Sequence, residues 1–261
     1  MPDKEHREVE KVVRVAMCQI VCLDGDRAGN FVRIENALSE AKDADADIAC
    51  FPEAAVLGWL NPEAHRRGYG IPGVDSDRIC ELARNYGIHI CVGLTEKDGT
   101  DLYDTAILAD DRGKILLKHR KLNILKELMS PAYVPGSTIH VAKTKLGRIG
   151  VMVCADTFLR DILKRMRDMT PDMVLVPYGW AATPYMWPHH GQKLSEIAGK
   201  TAKTIYAPVI GVDLIGMISN GPWKGKVYGG QSVAFDREGN LLAEAKDRDR
   251  DIAIVDIPIQ D

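Results

Sequence analysis

The sequence predicts an α/β fold of mixed sheets covered by helices, and three observations carry that prediction. Short β-rich apolar runs alternate with stretches whose apolar residues recur at helical spacing. Two antiparallel hairpin patterns interrupt the alternation, so the sheets cannot be purely parallel. The 261 residues, 46% apolar and 27% charged, run on without a low-complexity tract or internal repeat. One domain with a sizeable core is the expected outcome.

Residues 12–20 read as the first strand. Phe31, Ile34, Leu38 and Ala41 then fall on one helical face, after an expected cap at Asn30. Residues 47–51 form a second strand, and Ile79, Leu82, Ala83 and Tyr86 mark a helix closed by Gly87. A third strand spans 88–94. Strands at 105–109 and 114–118 make the first hairpin across the turn 110–113. The run 148–154 is a strand that leads into a helical pattern. Strands at 173–176 and 207–211 flank a helix from about 192 to 203, and 231–235 pairs with 241–245 as the second hairpin. The last strand is expected at 251–257. A charged segment, 1–11, precedes a single domain expected over 12–261.

Composition narrows the function classes. A net charge of −3 with no basic stripe argues against a nucleic-acid surface. The start of the chain is not a basic-then-apolar signal, and no stretch approaches the roughly 18 apolar residues of a spanning helix. A cytoplasmic protein without a membrane partner is expected. The six cysteines sit mostly inside apolar runs, as reduced thiols do. Cys18 and Cys22 lie four apart, but no second His or Cys pair has zinc spacing, so neither metal nor other cofactor is expected.

Cys154 is the most informative residue. A thiol at the end of a buried strand, where a helix is about to start, stands beside amides whose partial positive charge favours thiolate. A buried structural thiol is the other reading of the same segment. Glu53 follows Phe51-Pro52 at the end of the second strand, at the sheet edge where ligands of α/β proteins bind. It is either a surface glutamate opening a loop or a carboxylate desolvated among Phe51, Ala54, Ala55, Val56, Leu57 and Trp59, with a pKa raised to suit a general base. Lys121 lies in a segment that also holds Lys118, His119 and Arg120, and spacing does not say which of them points inward. Glu127 reads as a helix-surface charge or a second active-site carboxylate. Residues 177–190 form an aromatic, proline-rich loop that suits a pocket wall or a subunit contact. Its histidines, His189 and His190, have no neighbouring carboxylate or thiol to make a metal site.

Glu53, Lys121 and Cys154, in this order and each at a strand end, resemble the Glu–Lys–Cys triad of the nitrilase superfamily of carbon–nitrogen hydrolases. The resemblance covers nearly the whole chain. Val15-Ala16-Met17-Cys18-Gln19 looks like the opening strand and Phe51-Pro52-Glu53 like the glutamate motif. Leu102-Tyr103-Asp104-Thr105-Ala106 with Arg120-Lys121-Leu122 resembles the hairpin leading to the lysine. Val153-Cys154-Ala155-Asp156 resembles the nucleophile motif, and Tyr228-Gly229-Gly230-Gln231-Ser232 the late hairpin. The resemblance implies a four-layer α-β-β-α sandwich assembled as a homodimer or larger oligomer. It also implies Glu53 as the base, Cys154 as the nucleophile, and Lys121 with the Ala155 amide as the oxyanion donors. Glu127 is the nearest match to the family's second glutamate, which orients the substrate amine. Trp59, Tyr178 and Trp180 are expected to shape the pocket.

The expected substrate is therefore a small linear amide or carbamoyl compound. True nitrilases usually follow the cysteine with Trp-Glu, where this chain has Ala155-Asp156, so amides are favoured over nitriles. Carboxylate-binding branches often place an arginine where Thr157 stands. Its absence suggests a substrate neutral or basic near the scissile bond, unless Arg160 reaches the pocket. Nitrile hydrolysis, acyl transfer to an amine and a catalytically inactive interaction protein remain the alternatives.

Overall fold

The computed structural model describes residues 11–259, so all of the charged segment except Lys11 lies outside the described residues. The first half of the chain runs β1 (Lys11–Gln19), α1 (Arg27–Asp43), β2 (Ile48–Cys50), α2 (Ala64–Arg67), α3 (Val74–Tyr86), β3 (His89–Asp98), β4 (Asp101–Ala109) and β5 (Ile115–Arg120). Next come β6 (Val141–Thr144), β7 (Gly147–Val151), α4 (Arg160–Asp168), β8 (Met173–Tyr178), β9 (Ala181–Ala182) and α5 (His189–Ile205). The chain closes with β10 (Val209–Asp213), β11 (Ile215–Met217), β12 (Val227–Gly229), β13 (Val233–Phe235), β14 (Leu241–Glu244) and β15 (Asp251–Ile259).

These strands build two six-stranded mixed sheets. The first has the order β15-β1-β2-β3-β4-β5, the second β14-β13-β10-β8-β7-β6. Side-chain alternation along β1 explains how they stack. Val13, Val15 and Met17 join a core shared with Val151, Val174 and Val176 of the second sheet. Ala16 and Cys18 point the other way, into a core with Ile34 and Leu38 of α1 and Ile79 and Leu82 of α3. On the far side α4 and α5 pack together, and α5 covers β10 and β13. The layers therefore read helix, sheet, sheet, helix. A sheet covered on both faces needs the near-continuous apolar strands seen here.

Three details depart from expectation. α1 starts at Arg27, and its cap is Asp26, whose carboxylate accepts the Gly29 N–H at 3.1 Å. Asn30 is instead fully buried within the helix, donating to the carbonyls of Leu23 (2.8 Å) and Val56 (2.9 Å). Its amide ties two loops to α1, which is why a cap-type residue occurs inside a helical pattern. The third departure is a small sheet, β11-β12-β9, made from short strands that carry no clear alternation. Among the described residues no helix is long and apolar enough to cross a membrane.

Candidate active site

Glu53 is held by backbone bonds to both large sheets. The Gly93 N–H donates to the Pro52 carbonyl at 3.0 Å, and the Glu53 N–H donates to the Tyr178 carbonyl at 3.2 Å. A methyl at Gly93 would lie 2.5 Å from the Glu53 Cα, so β3 can run this close only with glycine there. The Glu53 side chain is fully buried.

Lys121 follows β5 and is buried as well, at 2% exposure. Its backbone N–H donates to the Asp104 carbonyl at 2.8 Å. Its ammonium donates to Glu53 Oε1 and, at 3.1 Å, to Asp104 Oδ2. Of the four basic residues in this segment, Lys121 thus points to the carboxylates. Lys118 and Arg120 pair with Glu96 on the other side of the strand.

Cys154 comes three residues after β7 and opens a single 3-10 turn, Cys154–Phe158, with φ of +40°. That left-handed conformation costs a non-glycine residue on the order of 1–3 kcal/mol, and it is held by its surroundings. The main clamp is the fully buried Asp156. Its Oδ2 accepts the Val153 N–H at 3.0 Å and stands 2.7 Å from His119 Nε2. Its Oδ1 accepts the N–H groups of Leu122 and Asn123, both at 2.9 Å. One carboxylate therefore staples the Cys154 turn to the segment that carries Lys121. Thr157 donates to the Cys154 carbonyl at 2.7 Å and accepts from the Tyr178 hydroxyl at 3.1 Å.

The helix expected to open at the cysteine begins only at Arg160, so no α-helix macrodipole bears on the thiol. The positive influences are instead Lys121 and the backbone N–H of Gly179. Burial and the nearby Glu53 charge outweigh them and push the thiol well above its ordinary range, so the resting sulfur is protonated. Burial and Asp104 also raise Glu53 well above the usual carboxylate range. Burial opposes the Lys121 charge, but Asp104 and Glu53 more than restore it and keep the ammonium protonated. The physical reason is charge count: one buried cation between two carboxylates leaves a net negative charge, and a proton on Glu53 removes it.

Cys154 opens into a cavity of about 460 Å³. Trp59 and Trp180 line it, as expected, together with Phe158, Trp223, His190 and Lys226. The His190 ring stacks on Trp180 with centroids 4.7 Å apart, and Phe158 meets Trp180 edge-on at 5.8 Å. A second anchor holds this wall. The buried Asp213 accepts the Trp180 N–H at 2.6 Å, and its own N–H donates to Ser232, whose hydroxyl donates to Gln19.

Other expected positions fall elsewhere. Glu127 is exposed on the 3-10 turn Lys126–Leu128, outside the cavity lining, because Leu128 and Met129 turn inward beside it. Tyr178 is fully buried beneath the Cys154 turn, bonded to Thr157, and supports that turn rather than lining the cavity. Ala155 directly follows Cys154 in the 3-10 turn with its side chain buried, so the part expected of it rests on its backbone amide alone. Arg160 lines a separate surface groove with Thr204. Thr157 is engaged with the Cys154 carbonyl and the Tyr178 hydroxyl and does not line the cavity over Cys154.

The profile of the carbon–nitrogen hydrolase family matches residues 14–261. The chain belongs to this family. Among curated relatives it is 30% identical over 162 residues to the bifunctional nitrilase/nitrile hydratase NIT4A of Nicotiana tabacum, covering 54% of this chain and 46% of that protein. It is 26% identical over 166 residues to an aliphatic nitrilase of Sinorhizobium fredii, covering 56% of this chain and 54% of the relative. The chain spans about half the length of the curated relatives it matches. Among solved structures, the amidase of Nesterenkonia sp. superposes with a TM-score of 0.80 at 23% identity, covering 94% of this chain and 90% of that one. A carbon–nitrogen hydrolase of Helicobacter pylori G27 gives 0.82 at 18% identity, covering 94% and 89%. These likenesses show the shared fold, the two large mixed sheets included.

Within this hydrolase fold, sequence reasoning passed over Asp104, Gly179, Trp223 and Lys226. Asp104 stands inside the hairpin motif leading to the lysine, so a signal existed for it. Gly179 announced itself only as one residue of an aromatic loop. Trp223 and Lys226 belong to an irregular stretch between β11 and β12 that carries no periodic pattern.

Proposed function

We propose that the protein is a thiol hydrolase that cleaves the C–N bond of a small linear amide or carbamoyl compound. The observation that carries this reading is the buried Lys121 ammonium bonded to Glu53 and Asp104, near enough for these charges to act on Cys154, which itself opens into the cavity. Glu53, raised above the usual carboxylate range, takes the Cys154 thiol proton as sulfur bonds to the amide carbon. The oxyanion that forms is held by the Lys121 ammonium and the Ala155 backbone amide, and losing one such donor typically costs roughly 3–4 kcal/mol. Glu53 returns the proton to nitrogen as the C–N bond breaks, releasing ammonia or amine and leaving an acyl-thioester. Water then attacks the thioester, with its proton passing to Glu53. The C–S bond breaks, the acid departs and the thiol is restored.

Names among the relatives support the same chemistry. A glutamate-to-glutamine variant of the Nesterenkonia amidase carries the acetamide moiety of fluoroacetamide added covalently at its active-site cysteine, and a cysteine-to-alanine variant has been solved in complex with butyramide. Nitrile hydrolysis is the second reading, favoured by the names of the curated relatives. A homodimer or larger oligomer fits the exposed Phe158, Leu159 and Tyr206, and a reducing, cytoplasmic setting fits six free cysteines.

The test is ammonia release across aliphatic amides, carbamoyl amines, ω-amides and their matched nitriles, with product analysis and a mass spectrum of the acylated chain. Turnover of amides with an acyl adduct on Cys154 is the expected result. Acid formed only from nitriles would move the reading to the nitrilase class, and no adduct with any substrate would end it.

A further inference from the structure

The cavity over Cys154 has an uneven charge distribution. No carboxylate lines it among the described residues; its basic side chains are Lys226 and His190. Lys226 Nζ lies 3.6 Å from the Trp223 ring centroid, Trp223 meets Trp59 edge-on at 5.7 Å, and Lys121 Nζ lies 5.3 Å from the Trp59 centroid. Two lysines thus bracket a pair of indoles. The inner one is neutralised by Glu53 and Asp104. The outer one has no carboxylate within ion-pair distance among the described residues.

An ammonium placed over an indole gives up part of its hydration and rotamer freedom, and the ring repays only a part of that. An anion delivered by the ligand would complete the pairing. Lys121 does not offer that pairing, because Glu53 and Asp104 already take up its charge. His190 does not compete for it: burial, Lys193 and Lys226 lower its pKa, so its ring is neutral at pH 7. The walls between the lysines are indole and phenyl faces, which suit an aryl or apolar spacer.

Resting on the amidase reading above, we infer that the substrate is an amide whose aryl or apolar acyl group ends in a carboxylate, and that Lys226 pairs with that carboxylate. The basic substrate that the sequence allowed is disfavoured by the same residue. Lys226 acts here on specificity, by binding, and takes no part in bond making.

Three matched probes test this: para-(carboxymethyl)phenylacetamide, para-ethylphenylacetamide and para-(aminoethyl)phenylacetamide. Their dissociation constants are measured calorimetrically on the full chain carrying Cys154→Ala, which removes any dependence on turnover. The carboxylate probe should bind about ten-fold tighter than the neutral one, as expected for a charged hydrogen-bonded pair, and the ammonium probe should bind weakest. Adding Lys226→Met should bring the carboxylate-to-neutral ratio close to one, and Lys226→Glu should invert the order. Lys224→Met, on the same turn but outside the cavity lining, should keep the ratio. Equal affinity for all three probes, or a ratio untouched by Lys226→Met, overturns the Lys226 assignment. Ammonia release from the same probes by the unmutated chain reports separately on the amidase reading.

Discussion

The two large sheets supply opposite halves of the proposed chemistry. The first sheet carries the charges: Glu53 after β2, Asp104 on β4 and Lys121 after β5. The second carries the sulfur and the groups around it, Cys154 after β7 and Gly179 after β8. The two halves are also held differently. The charges fix one another through buried ion pairs, whereas the cysteine is fixed by a strained backbone that Asp156 and Thr157 hold in place. A buried ionic group and a strained nucleophile each cost free energy by themselves. Both become useful only when the sheets pack, because Glu53 must reach a sulfur rooted in the other layer.

That division can be broken one side at a time. Cys154→Ala removes the nucleophile and should reduce kcat on the order of 10⁵-fold or more, with thermal unfolding nearly unchanged; retained turnover would refute the assignment. Lys121→Met on the other side should reduce kcat/KM by about 10²–10³-fold as an oxyanion donor is lost. It should also destabilise the chain, since two buried carboxylates lose their cation, and a denaturant titration checks that. A change confined to KM would deny Lys121 an oxyanion role.

The junction between the halves is Gly179. A methyl there would stand 2.7 Å from Glu53 Oε2. Gly179→Ala should displace the carboxylate from the sulfur and cost on the order of 10²-fold in kcat, while the unfolding midpoint changes little. Activity equal to the parent would show that the two halves are not coupled through this residue.

Smaller effects sharpen the comparison. Glu53 must be ionised to act as a base, so activity rises with pH through its pKa, which burial and Asp104 hold above the ordinary carboxylate range. Asp104→Asn removes the second of these influences, and the acid limb of kcat/KM against pH should move to lower pH. A limb that stays in place would assign it to another group. Asp156→Asn should cost about 1–3 kcal/mol of stability by leaving a buried donor unsatisfied, read as a lower urea midpoint. The Asp156 pKa is lowered because His119 and the surrounding N–H donors outweigh its burial. Its stabilising contribution is therefore present above the unfolded-state pKa and fades only as pH falls through the lowered folded value, so the parent–variant gap should narrow in strong acid.

Much of this was legible in the chain. Gly87 closes α3 with φ of +65°, and the hairpin β4–β5 turns through Gly113, because both depend on neighbours in sequence. The apolar run at residues 12–20 announced the strand that β1 forms. The order Glu53, Lys121, Cys154 at strand ends was legible only as a resemblance to a known family, since each residue alone left a bland reading open.

What the sequence determined by itself is most of the elements of the two large sheets, since periodicity and turn chemistry act over a few residues, while the three candidate side chains were named through the family resemblance. Tertiary structure alone decided which charge met which. It put Asp104 rather than Glu127 beside Lys121, turned Tyr178 under the site, and brought Trp223 and Lys226 from an irregular stretch to the cavity wall. The reason is that Coulomb and packing forces act through space, between residues whose separation along the chain sets no distance.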